Sequence, residues 1–174
     1  MRSLIRRSRA IATLAALAAA AVTVVVLVGS TAASAGAPPC PTSGLVVWLN
    51  TNGNGAAGSI FYRLQFTNQS GHTCTLVGYP GVSAVDLRGH QLGSPAARNH
   101  LHSAKTVTLA NGRTARAVLQ IVEAGNFAPS ACHQTSAAGL RVFAPNRTRA
   151  KLVPFPFSAC ARRGPVYLTV AAVR

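Results

Sequence analysis

Residues 61–82 read FYRLQFTNQSGHTCTLVGYPGV. Tyr62, Leu64 and Phe66 fall on one face of an extended chain, and Arg63, Gln65 and Thr67 on the other. That period of two marks a half-buried strand. Asn68-Gln69-Ser70-Gly71 is turn chemistry, small polar side chains followed by a glycine free to take positive φ. Residues 73–77 resume a β-rich run with Cys74 inside it. Gly78-Tyr79-Pro80-Gly81 stops the run, because proline cannot donate to a ladder and glycine bends at low cost. The stretch predicts a hairpin that carries a cysteine and ends in a rigid corner.

The flanking segments have the same character. Residues 45–50 form a first strand, and 51–58, TNGNGAAG, read as a glycine-rich loop. This loop is a plain turn rather than a phosphate cradle, since it lacks the closing Gly-Lys-Ser/Thr and leads into a strand. Residues 82–87 alternate again, Arg88-Gly89-His90 turns the chain, and 91–95 form a short segment running into a loop. Residues 106–109 and 114–122 flank Ala110-Asn111-Gly112-Arg113, a strong hairpin signal. Residues 125–138 read as a long loop with room for one helical turn and with Cys132 in it. Residues 140–143 and 166–173 are strands. Residues 152–157 contain Pro154 and Pro156, which confines them to an edge strand or an extended arm. About eight or nine short, turn-bounded strands without an amphipathic helix predict an all-β protein. The expected architecture is an antiparallel β-sandwich, immunoglobulin-like in the broad sense, with a small closed barrel as the second choice.

The first 35 residues differ from the rest. Arg2, Arg6, Arg7 and Arg9 precede an uncharged run at 10–28, and Ala33-Ser34-Ala35 offers a small-x-small site. This is the layout of a secretory signal peptide cleaved after Ala35. The alternative is a retained membrane tether, since the 19-residue run is long enough to span a bilayer, though its first half is mostly alanine. Ala37-Pro38-Pro39 does not give Cys40 the small-residue context of a lipoprotein cysteine. Cleavage leaves one secreted domain, residues 36–174, long enough to bury about two-thirds of its unfolded surface.

An even number of cysteines in an exported chain predicts two disulfides among Cys40, Cys74, Cys132 and Cys160. Of three possible pairings, Cys40–Cys74 with Cys132–Cys160 is favoured because it closes the shorter loops. A zinc site is the alternative, but there is no Cys-x-x-Cys or Cys-x-x-His pair to build one.

Of the 17 basic residues, four lie in the leader; the remaining 13 face only Asp86 and Glu123, a net charge of +11. Such a surface favours anionic partners, here an anionic wall polymer or an envelope protein. Nucleic acid is not expected for an exported chain. Arginine outnumbers lysine 15 to 2 and the basic residues are mostly scattered, so genomic composition is the competing account of the charge.

Catalytic constellations are scarce. Asp86 and Glu123 are the only carboxylates available for a glycosidase-type pair, and both sit at strand ends with ordinary surface roles. There is no Gly-x-Ser-x-Gly elbow, and oxidised cysteines offer no thiol nucleophile. His100-Leu101-His102 places two imidazoles on one face of an extended chain, a metal-like spacing without a third ligand nearby in sequence. His72 and His133 lie beside cysteines, where crowded loop ends explain them better than ligation does. Asn68-Gln69-Ser70 and Asn146-Arg147-Thr148 fit the glycosylation sequon, which a bacterial origin would leave bare. Trp48, Tyr62, Tyr79, Phe143, Phe155 and Phe157 are candidates for stacking on sugars. Most fall on inward positions or beside prolines, where core packing is expected; the pattern leaves the facing of Trp48 open.

Taken together, Cys40-Pro41, Phe66-Thr67-Asn68, Gly71-His72-Thr73-Cys74, Leu76-Val77-Gly78-Tyr79-Pro80-Gly81-Val82, Gly89-His90-Gln91-Leu92-Gly93, the Cys132 loop and Val153-Pro154-Phe155 before Cys160 form a pattern. The chain resembles the secreted actinobacterial family called domain of unknown function 4232 (DUF4232). The likeness spans nearly all of residues 40–173 and is most specific around Cys74 and the Gly-Tyr-Pro-Gly corner. It implies export and a β-rich fold, and it brings no reaction, cofactor or catalytic residue with it. The expectation is a non-enzymatic exported binding or structural module of the cell envelope, without cofactor or metal. A secreted hydrolase with a loop site built from Asp86, His100 and His102 is the alternative.

Overall fold

The computed structural model describes residues 36–174. The signal peptide or tether expected at residues 1–35 lies outside the described residues. Among those described, no helix is long and apolar enough to cross a membrane.

The domain is all-β. Its strands are β1 (Leu45–Ala56), β2 (Ser59–Asn68), β3 (Cys74–Val77), β4 (Gly81–Val85), β5 (Gln91–Leu92), β6 (Ala97–Asn99), β7 (Thr106–Leu109), β8 (Thr114–Val122), β9 (Gln134–Phe143), β10 (Ala150–Cys160) and β11 (Leu168–Ala171). A single helical turn, α1 (Pro129–Cys132), precedes β9. The strands form a five-stranded sheet, β1-β2-β8-β11-β6, a four-stranded sheet, β10-β9-β4-β5, and the pair β3-β7. Leu64, Phe66, Leu119 and Val170 of the first sheet share one core with Val82, Ala84, Leu140, Val142 and Val153 of the second. Leu76 and Leu109 of the small pair close the end of that core. Each sheet keeps its edges, so the arrangement is a sandwich and not a closed barrel. Strand pairing is antiparallel with one exception among the described strands: β6 runs parallel to β11.

The stretch at 61–82 contains a strand, a turn and a strand as expected, but it is not a hairpin. β2 pairs with β1 and β8, whereas β3 pairs with β7. The Asn-Gly segment is not a hairpin either, because β7 and β8 likewise belong to different sheets. A two-residue hairpin of the expected kind needs positive φ at both central residues. Gly112 has φ 79°, but Asn111 is not among the residues with positive φ. The segment instead turns from Ala110 to Arg113 (Arg113 N to Ala110 O 3.0 Å) and passes the chain between sheets.

The two corners lie side by side and hold each other. Asn68 N donates to Arg113 O (2.9 Å), Gly112 N to Asn68 O (2.6 Å) and Gly71 N to Asn111 Oδ1 (2.9 Å). The ribbon β2/β8 thus bends and continues as β3/β7. Asn68 is fully buried at the bend. Its Nδ2 donates to His72 O (2.8 Å) and Leu109 O (2.9 Å), and its Oδ1 accepts from Ser70 N (3.0 Å) and Ser70 Oγ (2.7 Å). Every hydrogen-bonding group of the side-chain amide is used, so the sequon asparagine is a structural lock.

Other departures have local causes. β1 continues to Ala56 through the segment read as a glycine-rich loop, with a bulge between Asn50 and Asn54. Pairing with β2 keeps this exposed, low-propensity segment extended. The turn shrinks to Ala57-Gly58, with φ of 47° and 72°. β9 begins at Gln134, six residues before the expected start at Leu140, because it pairs with a β10 that itself runs on to Cys160. The edge expected from Pro154 and Pro156 is present, since β10 borders its sheet. Gly139 faces Pro154 there, and a Cβ at Gly139 would collide with the Val153 carbonyl. Tyr62, Phe155 and Phe157 fill the flank between the sheets, with centroid separations of 5.0 and 5.6 Å.

The disulfides are Cys40–Cys74 and Cys132–Cys160, the favoured pairing. No cysteine remains for zinc. The first bridge fastens the incoming chain to β3, where Cys40 N donates to Thr75 O (2.9 Å) and Thr75 N to Pro38 O (2.8 Å). The second ties the end of α1 to the end of β10.

Tyr167 joins the two main sheets. Its ring is fully buried and its hydroxyl donates to Leu92 O (2.9 Å). Burial pushes the phenol up to about 12 from an ordinary 10. The folded protein therefore keeps a proton that the unfolded chain gives up. The associated stability is complete below pH 10 and falls as pH rises toward 12. Replacing Tyr167 with phenylalanine is expected to cost about 1 kcal/mol at neutral pH through the lost hydrogen bond. It should also flatten the decline in melting temperature between pH 10 and 12 relative to the unaltered protein, which calorimetry across that range would show.

Candidate functional site

Alternation in the five-stranded sheet sends Leu64, Phe66, Leu119 and Val170 inward and an unusual set of side chains outward. The ladder aligns that outer set in rows. Trp48 sits opposite Gln65, and Gln65 opposite Arg116. Arg116 and Arg174 exchange both backbone hydrogen bonds (2.9 and 2.8 Å). One row therefore reads Trp48, Gln65, Arg116, Arg174. The next aligns Asn50, Arg63 and Val118. Arg63 is thus diagonal to Arg116, within reach of a long side chain.

Trp48 is 41 % exposed, which resolves its facing: it lies on the outer surface. Its Nε1 donates to Thr67 Oγ1 (3.3 Å), which is itself 2.9 Å from Thr114 Oγ1. These bonds hold the indole against the sheet with one side open. Beside it, Arg63, Gln65, Arg116, Arg174, Asn99 and His102 line an open groove of about 740 Å³. His102 and Arg174 also line an adjoining hollow that includes Lys105.

Like charges directly opposed across a ladder destabilise a sheet. Arg116 and Arg174 are so opposed, and neither forms an ion pair among the described residues. The sole contact of salt-bridge length among the described residues is His90 Nδ1 with Asp86 Oδ2 (3.2 Å). No described arginine or lysine is paired with an acid.

The sequence-derived candidates do not converge. Asp86 caps the turn between β4 and β5, accepting at Oδ1 from Arg88 N (2.9 Å) and His90 N (2.7 Å). Partial desolvation pulls its carboxyl up, but bonds from the His90 backbone, the His90 ring and the Arg88 backbone outweigh it and hold the group below its ordinary value. Glu123 is exposed at the end of β8, and its backbone N donates to Gly58 O (2.9 Å). Neither carboxylate lines the groove or the adjoining hollow. His102 lines the groove, whereas His100 packs against Tyr79 (4.9 Å between ring centroids). Among the described residues no three His, Cys, Asp or Glu side chains gather around a point where an ion could sit. His133 takes a left-handed conformation after α1 (φ 52°), and the His72 carbonyl serves the Asn68 lock.

The groove arginines were not singled out by sequence. The alternation of Arg63 and Gln65 with Leu64 and Phe66 placed two of the groove residues outward, but only strand order brings Arg63, Arg116 and Arg174 together. No curated protein and no solved structure matches the chain. The family described as "Domain of unknown function (DUF4232)" matches residues 40–174, and the chain belongs to that family.

Proposed function

We propose that the protein is an exported, non-enzymatic binding module of the cell envelope, and that the outer face of its five-stranded sheet holds an anionic wall polymer. The observation that carries this reading is the row Trp48, Gln65, Arg116, Arg174 with Arg63 alongside and no acidic side chain among them. A guanidinium presents a planar fork of donors suited to phosphate or carboxylate. An open indole offers a flat apolar surface for a sugar ring; Gln65 and Asn50 supply neutral polar groups near it, and Asn99 supplies one across the groove. Sheet stability is given up where Arg116 opposes Arg174, and an anionic ligand recovers it. The net charge of +11 on residues 36–174 adds long-range attraction.

Retention of the protein on isolated cell envelope tests the reading. Strong retention is expected at low salt. It should be lost near 1 M salt, where the screening length falls from about 10 Å at 0.1 M to about 3 Å. Converting Arg63, Arg116 and Arg174 together to glutamine removes three charge-assisted contacts. Affinity should drop at least about a hundredfold; the fold is kept because all three side chains reach solvent, and stability should rise slightly as the Arg116–Arg174 repulsion is removed. Retention that ignores salt, or that survives the triple substitution, contradicts the assignment and points to a protein partner.

A further inference from the structure

A second hollow, of about 420 Å³, shares no lining residue with the groove. Tyr79, Arg98, Asn146, Arg147 and Thr148 line it. Two turns bring these residues together. One is the Gly-Tyr-Pro-Gly corner after β3, where Gly78 takes φ 105° and its carbonyl accepts from Val173 N (3.0 Å). The other runs from Ala144 to Arg147, closed by Arg147 N to Ala144 O (3.0 Å), with Asn146 at φ 56°. Asn146 Nδ2 donates to Val77 O (3.1 Å), which fastens the second turn to the first. The third contributor is β6, whose Arg98 guanidinium lies 5.7 Å from the Tyr79 ring centroid. Tyr79 is held in turn by the His100 ring and by its hydroxyl bond to His102 O (3.3 Å).

Arg147 Nε is the sole buried side-chain nitrogen or oxygen without a partner among the described residues. A buried N–H on a charged group is among the most costly to leave unpaired. No acid lines the hollow beside Arg147 or Arg98. Arg98 lies over the Tyr79 ring, a cation–π contact that does not use the N–H groups of its guanidinium.

We propose that this hollow is a binding site for a compact tetrahedral oxyanion of the phosphate class, gripped between Arg98 and Arg147 with the Thr148 hydroxyl as a third donor. One guanidinium fork satisfies a planar carboxylate. Two guanidiniums arriving from different elements, with a hydroxyl, match an anion that offers three or more acceptor oxygens out of one plane. The site stands independently of the groove: two guanidiniums from different elements and a hydroxyl line one hollow that no acid enters.

The ¹H–¹⁵N resonance of Arg147 Nε tests it directly. Inorganic phosphate titrated into the ¹⁵N-labelled protein at constant ionic strength should shift that resonance saturably, and chloride should not. Arg147→Lys and Arg98→Gln should each weaken binding about tenfold or more. Arg98→Gln, at an exposed position on a short edge strand, should leave the melting temperature nearly unchanged. A poly(glycerol phosphate) arm separates the two sources of the group. Saturation by the free ion assigns a phosphate site. Saturation by the polymer alone, lost in the same variants, assigns its phosphodiester linkage. An unmoved Arg147 Nε with both probes overturns the proposal, as does equal binding by the Arg98→Gln protein. Shifts confined to Arg63, Arg116 and Arg174 also overturn it, while leaving the groove reading in place.

Discussion

Replacing Asn68 with leucine should destabilise the domain by about 3–5 kcal/mol, a large share of the 5–15 kcal/mol that holds a typical domain together. The side chain is fully buried and serves four partners: the carbonyls of His72 and Leu109, and the N–H and hydroxyl of Ser70. Leucine fits the volume but leaves the buried Leu109 carbonyl unanswered and removes the part-buried bonds to His72 and Ser70. Each net hydrogen bond is worth about 1 kcal/mol, and an unanswered buried group costs more. Asn68→Asp makes a sharper comparison. It can still accept from Ser70, but an ionised carboxylate cannot donate to either carbonyl and faces both of them. Its penalty should be comparable at neutral pH and should shrink as the pH falls and the carboxyl takes up a proton. Denaturant midpoints of the three proteins at pH 7 and pH 4 check both statements. Hydrogen exchange at Gly112, whose N–H is bonded to Asn68 O, should speed up with the loss of the corner.

Removing the Cys40–Cys74 bridge by converting both residues to alanine should cost about 3–4 kcal/mol, from the entropy of a 34-residue loop released in the unfolded chain. The native state loses something as well. Both cysteines are fully buried beside Leu76 and Leu109 in the core. The bridge also holds the segment at Pro38–Cys40 in hydrogen-bonding position against Thr75. Faster exchange at the Cys40 and Thr75 amides should accompany the fall in denaturant midpoint. Exchange in β9 and β10 should rise only by the global loss of stability, since the Cys132–Cys160 bridge still ties that end of the molecule. A drop well under 1 kcal/mol would mean that the paired N-terminal segment contributes little to the fold.

Strand identity was legible because it is a local property. The alternation in 61–67 and 114–122 predicts which side chains go inward, and Leu64, Phe66, Ala115, Ala117, Leu119 and Ile121 are buried as that period requires. Loop length favoured the disulfide pairing that is found, and the two prolines in β10 identified a sheet edge. Pairing was not legible where it is decided by distant chain. Asn68-Gln69-Ser70-Gly71 and Ala110-Asn111-Gly112-Arg113 each carry hairpin chemistry, but they bend together because β2 already pairs with β8. A turn signal states that the chain reverses or bends; it does not name the neighbour. The groove was hidden for the same reason. Arg63, Arg116 and Arg174 are scattered in sequence, and register alone assembles them beside Trp48. His100 and His102, adjacent but for one residue, are separated by the structure into different surroundings.

The central claim is that a polyanion lies along the row from Trp48 to Arg174. The most direct measurement is a titration of the ¹⁵N-labelled protein with a soluble anionic wall polymer, read at the side-chain resonances of the outer sheet face. The account predicts saturable shifts at Trp48 Nε1, Gln65 Nε2 and the Nε of Arg63, Arg116 and Arg174, with residues on the β9–β10 face unmoved. Equal small shifts at every exposed arginine, Arg149 and Arg163 included, with Trp48 silent, would contradict it and make the positive charge a matter of composition.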